Sequence, residues 1–532
     1  MSGMHADLSL VDPLVVNLTH RAALGDVLTR GAQTYGDRTA VVDGDHEVSY
    51  RELDARANAV ARGLLADGLE RGDAVALQIQ NRWEFVVTFF ACAKIGVVAM
   101  PLNLALPAAD IAYQLADSGV RAVVAEEAFL PVLEEALHTA EEAAVRSVHV
   151  IGSAPAEVAG RRAADFRALL DNDTATVEVV VEDRDILHCL YTSGTTSLPK
   201  GVVTSHVAVL IASLTSALEF GLPRGRRGAV MPIVLPLFHV TGLDVLLLPM
   251  LVTGGTAVLH RGFDPETLLD DLAVRRATHV ALLPAMWGAL LDHPRLGEID
   301  TTSLRVGIYA MAPMPAQRLE AIRAAFPRAD VILGSGQTET TPLSELQWPE
   351  HQGEKDNSWG PPVATTDVRI MGPDGGLLPP GEEGEIVYRT PQLMDGYWNN
   401  PGANAEAFAH GWFHGGDVGY LDEEGVVWFT DRTKDMIKTG GENVSSVEVE
   451  RAVLAHESVA ECAVIGMPDD RWGEAVTAFV VAAPGRTVDP QELRAVCKRN
   501  LAGFKVPKHF EVVGALPKTA TGKIRKHELR RS

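Results

Sequence analysis

The run Tyr191-Thr-Ser-Gly-Thr-Thr-Ser-Leu-Pro-Lys200-Gly201 gathers small hydroxyl residues and glycines and closes on one lysine. These residue types suit a polyphosphate. Gly194 lets the backbone approach phosphate oxygens closely, the hydroxyls of Thr192, Ser193, Thr195 and Thr196 can donate to them, and Lys200 adds a point charge. The spacing is not that of the usual nucleotide P-loop, in which two glycines enclose four residues and Lys-Ser/Thr follows at once. Gly194 and Gly201 bracket Lys200 in another way, so a kinase-type reading loses its main support. By composition alone the run also fits a surface loop between two strands.

Three later segments decide between these readings. Gly334-Ser-Gly-Gln-Thr338-Glu339 comes first, then Gly415-Gly-Asp417 with Asp431-Arg432-Thr-Lys434-Asp435, and finally Pro517-Lys-Thr-Ala-Thr-Gly522-Lys523. Together with the lysine loop, and in this order, they resemble the adenylate-forming superfamily of acyl-CoA synthetases, firefly-type luciferases and peptide-synthetase adenylation domains. The resemblance runs from about residue 190 to the C-terminus. It implies an α/β fold with a large N-terminal AMP-binding domain over 1–432, made of α/β subdomains and a β-rich subdomain. A small, mobile α+β domain over 433–532 would turn about Lys434 between two half-reactions.

The chemistry so implied is attack of a carboxylate on the α-phosphate of ATP, with pyrophosphate leaving, followed by acyl transfer to CoA. Charge must then be neutralised on the phosphates and on the entering oxygen. The resemblance carries Glu339 over as the Mg2+ ligand, a carboxylate suited to that hard cation. Thr338 would donate to the α-phosphate, Asp417 would accept the ribose hydroxyls and Arg432 would contact the same sugar. Gly334, Ser335, Gly336 and Gln337, with Ala312 and Pro313, would frame the nucleotide. Lys523 would reach into the closed site during adenylation. Rotation would withdraw it and bring forward the Thr439-Gly-Gly-Glu-Asn-Val loop, whose Gly440 and Gly441 leave room for a pantetheine arm. The other basic residues of the tail, Lys518, Arg525, Lys526, Arg530 and Arg531, read as solvated charge.

His239, in Phe238-His239-Val-Thr-Gly242, would border the acyl group and gate the thiol. The stretches around Ala285-Met-Trp287 and Tyr309-Ala-Met-Ala-Pro313 would line the rest of the acyl cavity. Neither contains a cation, which favours a monocarboxylic, largely apolar acid over a dicarboxylate. Three positions depart from the family pattern. Ser335 replaces an aromatic that usually stacks on adenine, Met311 stands where Gly or Ala is usual beside the acyl group, and Ser197 replaces a loop glycine. Met311 shortens or bends the pocket, so a short, medium or aryl acid is expected rather than a fully extended long chain.

Composition bounds the same picture. A chain of 532 residues exceeds what one core supports, so two or more domains are expected. The net charge of −23 argues against nucleic acid or an anionic membrane as partner. Cys92, Cys189, Cys462 and Cys497 lack paired spacing, so buried free thiols are expected rather than a zinc cluster or a disulfide framework. No basic region precedes an apolar run at the N-terminus, and Val245 to Val252 is too short to span a membrane, which points to a cytoplasmic protein.

Periodicity supplies the elements that must position these residues. Apolar residues recur three or four apart from Tyr50 to Leu65, predicting a helix that Gly68 closes, and Ala74-Val-Ala-Leu-Gln-Ile predicts a strand. Helix–strand pairs recur at Phe85 to Ile95 with Val97 to Met100, and at Pro265 to Arg275 with His279 to Leu283. Ala136 to Arg146 reads as an exposed helix. After about residue 360, Pro-Gly turns between short strands such as Glu385-Ile-Val-Tyr mark a β-rich part. Beyond Arg432 the pattern predicts a helix over Ser446 to His456, a strand over Glu461 to Ile465 and a helix over Pro490 to Leu501. The expected activity is that of an ATP- and Mg2+-dependent acyl- or aryl-CoA synthetase. Two alternatives stay open: delivery of the acyl group to a carrier-protein pantetheine or a nitrogen nucleophile, and a non-catalytic nucleotide-binding descendant.

Overall fold

A computed structural model describes residues 7–140, 143–192, 198–225, 228–310, 314–469, 471–518 and 524–530. The helix from Tyr50 to Ala66 starts where the sequence supplies a cap. Ser49 accepts from the backbone N–H of Glu52 while the Glu52 carboxylate accepts from the N–H of Ser49, an exchange worth about 1 kcal/mol. Strands at Ala74–Gln78 and Val98–Pro101 follow, with the helix Trp83–Ile95 between them, so the periodic reading of this region holds. One expectation fails. The helix near residue 136 runs from Leu130 to Thr139 with Ala136 and Leu137 buried, and Ser147–Ile151 is a strand, so the Ala- and Glu-rich stretch is not one exposed helix. Leu133, Ala136 and Leu137 pack inward at three- and four-residue spacing, and this buried face outweighs composition.

The described strands form five sheets. The largest has nine strands and centres on parallel pairings of Ala74–Gln78 with Val98–Pro101 and Ala122–Glu126. Its two faces feed separate cores: Val75, Leu77 and Val124 enter one apolar cluster, and Ala74, Ala76, Val123 and Ala125 enter another. Alternation of side chains along a strand covered on both faces produces this split, and explains the near-continuous apolar runs. At one edge the strands Ile186–Thr192 and Lys200–Ser205 pair antiparallel, with Thr192 opposite Lys200, and Gly396–Tyr397 adds outside them. A second sheet carries His279–Leu282, Val306–Tyr309 and Asp330–Ser335 in parallel, with Glu345–Leu346 antiparallel at its end.

The region after residue 360 is β-rich as expected. Asp367–Met371, Gly384–Arg389, Phe413–Leu421 and Val427–Arg432 form an antiparallel sheet. Past Arg432, Ile437–Thr439, Val459–Asp469 and Gly473–Ala482 build the last sheet with the helices Ser446–Leu454 and Pro490–Asn500. Val449, Val464, Val476, Leu493 and Cys497 form its own core. All four cysteines are buried free thiols.

Two hydrogen bonds span the segment around Lys434: Ser445 Oγ donates to the Thr430 carbonyl at 2.7 Å, and the Ser446 N–H donates to Asp431 Oδ2 at 2.5 Å. The C-terminal helix Lys526–Leu529 reinforces them. Lys526 is not solvated tail charge: its ammonium is 2.7 Å from Glu450 and 2.6 Å from Ser446 Oγ, with 15% of the side chain exposed. Leu529 buries beside Phe479 and Leu516, which pulls the adjacent lysine inward. Lys518 and Arg525 do lie toward solvent, in surface pairs with Glu461 and Glu528.

Candidate nucleotide and acyl site

The ends of the lysine loop are held by the helix Ala108–Ser118. Tyr191 donates to Asp117 Oδ2 at 2.6 Å, Tyr113 donates to the Pro199 carbonyl at 3.3 Å, and Trp398 and Asn399 both donate to the Asp117 carbonyl. Burial, first of all, pushes the Tyr191 phenol well above its ordinary value, so it stays a donor. Thr192 ends one strand and Lys200 opens the next, both half-buried. Ser193, Gly194, Thr195 and Thr196 lie outside the described residues, as do Ser197, Met311, Ala312, Pro313, Gly522 and Lys523.

Lys200 places its ammonium 4.6 Å over the ring of Tyr397. The hydroxyl of that tyrosine donates to Glu339 Oε1 at 2.9 Å. Tyr397 thus joins two sequence-expected site residues, and sequence reasoning missed it. The pairing of Val203 with Gly396 and Val202 with Tyr397 creates the link, and a contact across almost two hundred residues leaves no local pattern. Burial and then the Glu339 charge push the phenol far up, so the donor persists at any working pH.

Glu339 and Thr338 sit on a single helical turn, Thr338–Thr340, directly after the strand Asp330–Ser335. Gly336 has φ +152°, and a Cβ there would overlap the Pro342 carbonyl oxygen, so only glycine closes this turn. Gly334 is buried and Ser335 half-buried, and Gln337 packs on Gly415, where a Cβ would meet its amide at 2.1 Å. Tyr397 engages one oxygen of Glu339. No group of three or more metal-ligating side chains converges among the described residues. A lone accessible carboxylate fits Mg2+, which keeps waters and takes its remaining ligands from substrate phosphates.

Asp417 and Arg432 are opposed across two antiparallel strands, with Arg432 Nε 3.0 Å from Asp417 Oδ1. Asp417 is 4% exposed. Its carboxylate holds the Arg432 guanidinium above its ordinary value, with a further contribution from Glu339. Behind this pair lies Glu345, fully buried and beside the Tyr388 hydroxyl. Burial and the neighbouring Asp417 charge raise its pKa to about 8.

His239 is half-buried, and its Nδ1 accepts from the Thr241 N–H at 3.3 Å. A π-helical turn, Thr241–Leu247, follows, and Gly242 packs so tightly that a Cβ would meet the Pro236 oxygen at 2.3 Å. Trp287 and Tyr309 do not line an open cavity. Trp287 is fully buried, donates to the Ile308 carbonyl at 3.2 Å and packs edge-on against Phe326, while Tyr309 is turned to Gln347 and Asn357. Their indole and phenol each find a partner inside, which favours the core. Gly440 and Gly441, with φ +61° and +87°, are the two central residues of a hairpin that pairs Thr439 with Glu442. Both angles favour glycine on backbone grounds alone. Lys434 is exposed, and its carbonyl accepts from Arg530 at 3.4 Å.

The family model for AMP-binding enzymes matches residues 28–398, and that for the AMP-binding enzyme C-terminal domain matches 448–523. A feruloyl-CoA synthase from Amycolatopsis is 38% identical over 508 residues, covering 96% of this chain and 98% of the relative. The crystal structure of ATP-bound MatB from Rhodopseudomonas palustris superposes with a TM-score of 0.87 at 31% identity, covering 96% and 99% of the two chains. The amide bond synthetase McbA from Marinactinospora thermotolerans superposes at 0.84 with 30% identity, covering 96% and 99%.

Proposed function

The chain belongs to the family of AMP-binding enzymes, and from that premise we propose that it activates an aryl monocarboxylic acid with MgATP and hands the acyl group to CoA in the cytoplasm. Acid–CoA ligation is the activity of several of its relatives, among them CoA ligases for aryl and fatty acids. The aryl class rests on the feruloyl-CoA synthase relative and on the absence of a cation from the described part of the acyl stretches. The observation that carries the reading is the chain of contacts from Lys200 through Tyr397 to Glu339, beside the Asp417–Arg432 pair. It gathers a cation, a carboxylate and an Asp–Arg pair from distant parts of the sequence.

In the first half-reaction a carboxylate oxygen of the acid attacks the α-phosphorus, the bond from that phosphorus to the bridging oxygen breaks, and pyrophosphate leaves. Bound at Glu339, Mg2+ would screen phosphate charge. Lys200 and the loop hydroxyls neutralise the leaving group, Thr338 donates to the α-phosphate, and Asp417 with Arg432 hold the ribose so that the phosphorus meets the acid in line. Lys523 contributes positive charge at the entering oxygen. In the second half-reaction the CoA thiol, losing its proton, attacks the acyl carbonyl and AMP leaves. The small C-terminal domain, 433–532, turns about Lys434 between the two steps, so that Gly440 and Gly441 replace Lys523 at the site, and His239 borders the acyl group.

The test is acid-dependent pyrophosphate release across short, medium, long and aryl acids, ferulic acid included, with and without CoA, following thioesters by mass. A CoA-dependent thioester and AMP from aryl acids is the expected result. Faster turnover of a C16 acid would overturn the substrate class, and no pyrophosphate with any acid would overturn the reaction. Acyl-AMP without thioester would send the acyl group to a carrier protein or an amine; the likeness to an amide bond synthetase gives that outcome its place in the assay.

A further inference from the structure

Glu345 is a glutamate in the middle of a nucleotide site that the two half-reactions leave unused. The residue lies directly across the strand pair from Ser335, so both side chains share one face of the sheet. Ser335 is the position where an aromatic would otherwise stand. Glu345 is fully buried, with the Tyr388 hydroxyl beside its carboxyl group. Tyr388 is buried in turn and has the Gln337 side chain beside it. These groups belong to three segments that meet beside Asp417, and polar groups shut inside a protein are costly unless they answer one another.

Two carboxyl groups this close in a dry environment do not both ionise. Arg432, 3.0 Å from Asp417, decides which of them carries the charge. Asp417 is the anion. Glu345 therefore keeps its proton and offers an O–H. We infer that Glu345 is a positioning residue of the ATP site, a buried acid that with Tyr388 and Gln337 fixes the Asp417 carboxylate against Arg432, ready to receive the ribose. The inference rests on the reading of Asp417 as the ribose-binding carboxylate. The titratable groups facing Glu345 are Asp417 and Tyr388, and Arg432 lies beyond Asp417. Burial and the Asp417 charge bring the Glu345 pKa to about 8. Above that pH a second negative charge appears next to Asp417 and weakens the grip on a polyanionic ligand.

The test is the KM for ATP, at saturating acid and Mg2+, between pH 7 and 9. In the wild-type enzyme it should rise roughly tenfold across this range while the KM for the acid stays level, as a new unit charge at close range in a poorly solvated site demands. Glu345→Gln, which keeps the shape and cannot ionise, should hold its KM for ATP level over the same range. Glu345→Leu should raise that KM at every pH. Identical pH profiles for the wild type and Glu345→Gln would overturn the inference. Direct ATP binding to the wild type at pH 7 and 9, by calorimetry, tests the same point without any variant: weaker binding at pH 9 is expected, and equal affinities refute it. Asp417→Asn separates this failure from failure of the underlying reading. If that substitution leaves the KM for ATP unchanged, the ribose assignment itself is wrong; if it raises the KM while Glu345 variants behave as wild type, only the role of Glu345 falls.

Discussion

Tyr397→Phe removes one oxygen from the bridge between Lys200 and Glu339 and keeps the ring. The lost interaction is a 2.9 Å hydrogen bond to an ionised acceptor, a type worth about 1.5–3 kcal/mol when removed. Tyr397 and Glu339 are only half-buried, so water recovers part of this and the low end applies. About 1.5 kcal/mol corresponds to a roughly tenfold loss in kcat/KM for adenylation. The cation–π contact with Lys200 survives in phenylalanine. Tyr397→Leu removes that too and should cost a further two- to fivefold, from about 0.5–1 kcal/mol. The assay is acid-dependent exchange of pyrophosphate into ATP, paired with thioester formation from supplied acyl-AMP, which should not change. Wild-type exchange in Tyr397→Phe, or equal losses in both half-reactions, would refute the view that Tyr397 holds the adenylation site together.

Lys523→Ala should slow adenylation by about a hundredfold or more and leave thioester formation from supplied acyl-AMP nearly intact; equal losses in single-turnover measurements of both steps would contradict the rotating-domain reading. Lys526→Ala strands the buried Glu450 carboxylate and should cost about 3 kcal/mol of stability, read by denaturant unfolding, with Glu450→Gln restoring part of it in the double variant. Glu345 has a folded-state pKa of about 8 against an ordinary 4.5, so the fold holds a proton that the unfolded chain has released, and stability falls as pH rises through this window. The full loss is on the order of 5 kcal/mol by pH 8. Glu345→Gln should therefore gain melting temperature over wild type at pH 8 and lose that advantage near pH 4.5; a pH-independent difference in thermal melts would count against it.

The motif residues were legible because their chemistry is local. Gly336 must be glycine for the turn that carries Thr338 and Glu339, and Asp417 and Arg432 stand in segments whose order already suggested their partnership. Tyr397, Asp117 and Glu345 were not legible, since each gains its meaning from a strand or helix brought in from far along the chain. The tail lysines show the same limit: Lys526 and Lys518 are alike in sequence, and only the burial of Leu529 separates a structural cation from a surface one. Trp287 and Tyr309 erred in the other direction. Apolar residues next to site motifs read as cavity walls, yet their polar atoms found partners in the core. The α/β alternation was readable throughout because periods of two and 3.6 survive in any context, whereas the Ala- and Glu-rich stretch near residue 140 reads as exposed on composition alone, which says nothing about which face is buried.

The two hydrogen bonds from Ser445 and Ser446 back to Thr430 and Asp431 straddle Lys434. Any turn of the C-terminal part about that residue has to give both up to water. At about 1 kcal/mol each, they favour the present orientation by a factor of about thirty. They would act as a latch on such a motion, one made of a serine hydroxyl and an aspartate with Lys526 beside them on Ser446, none of which needs to touch a substrate.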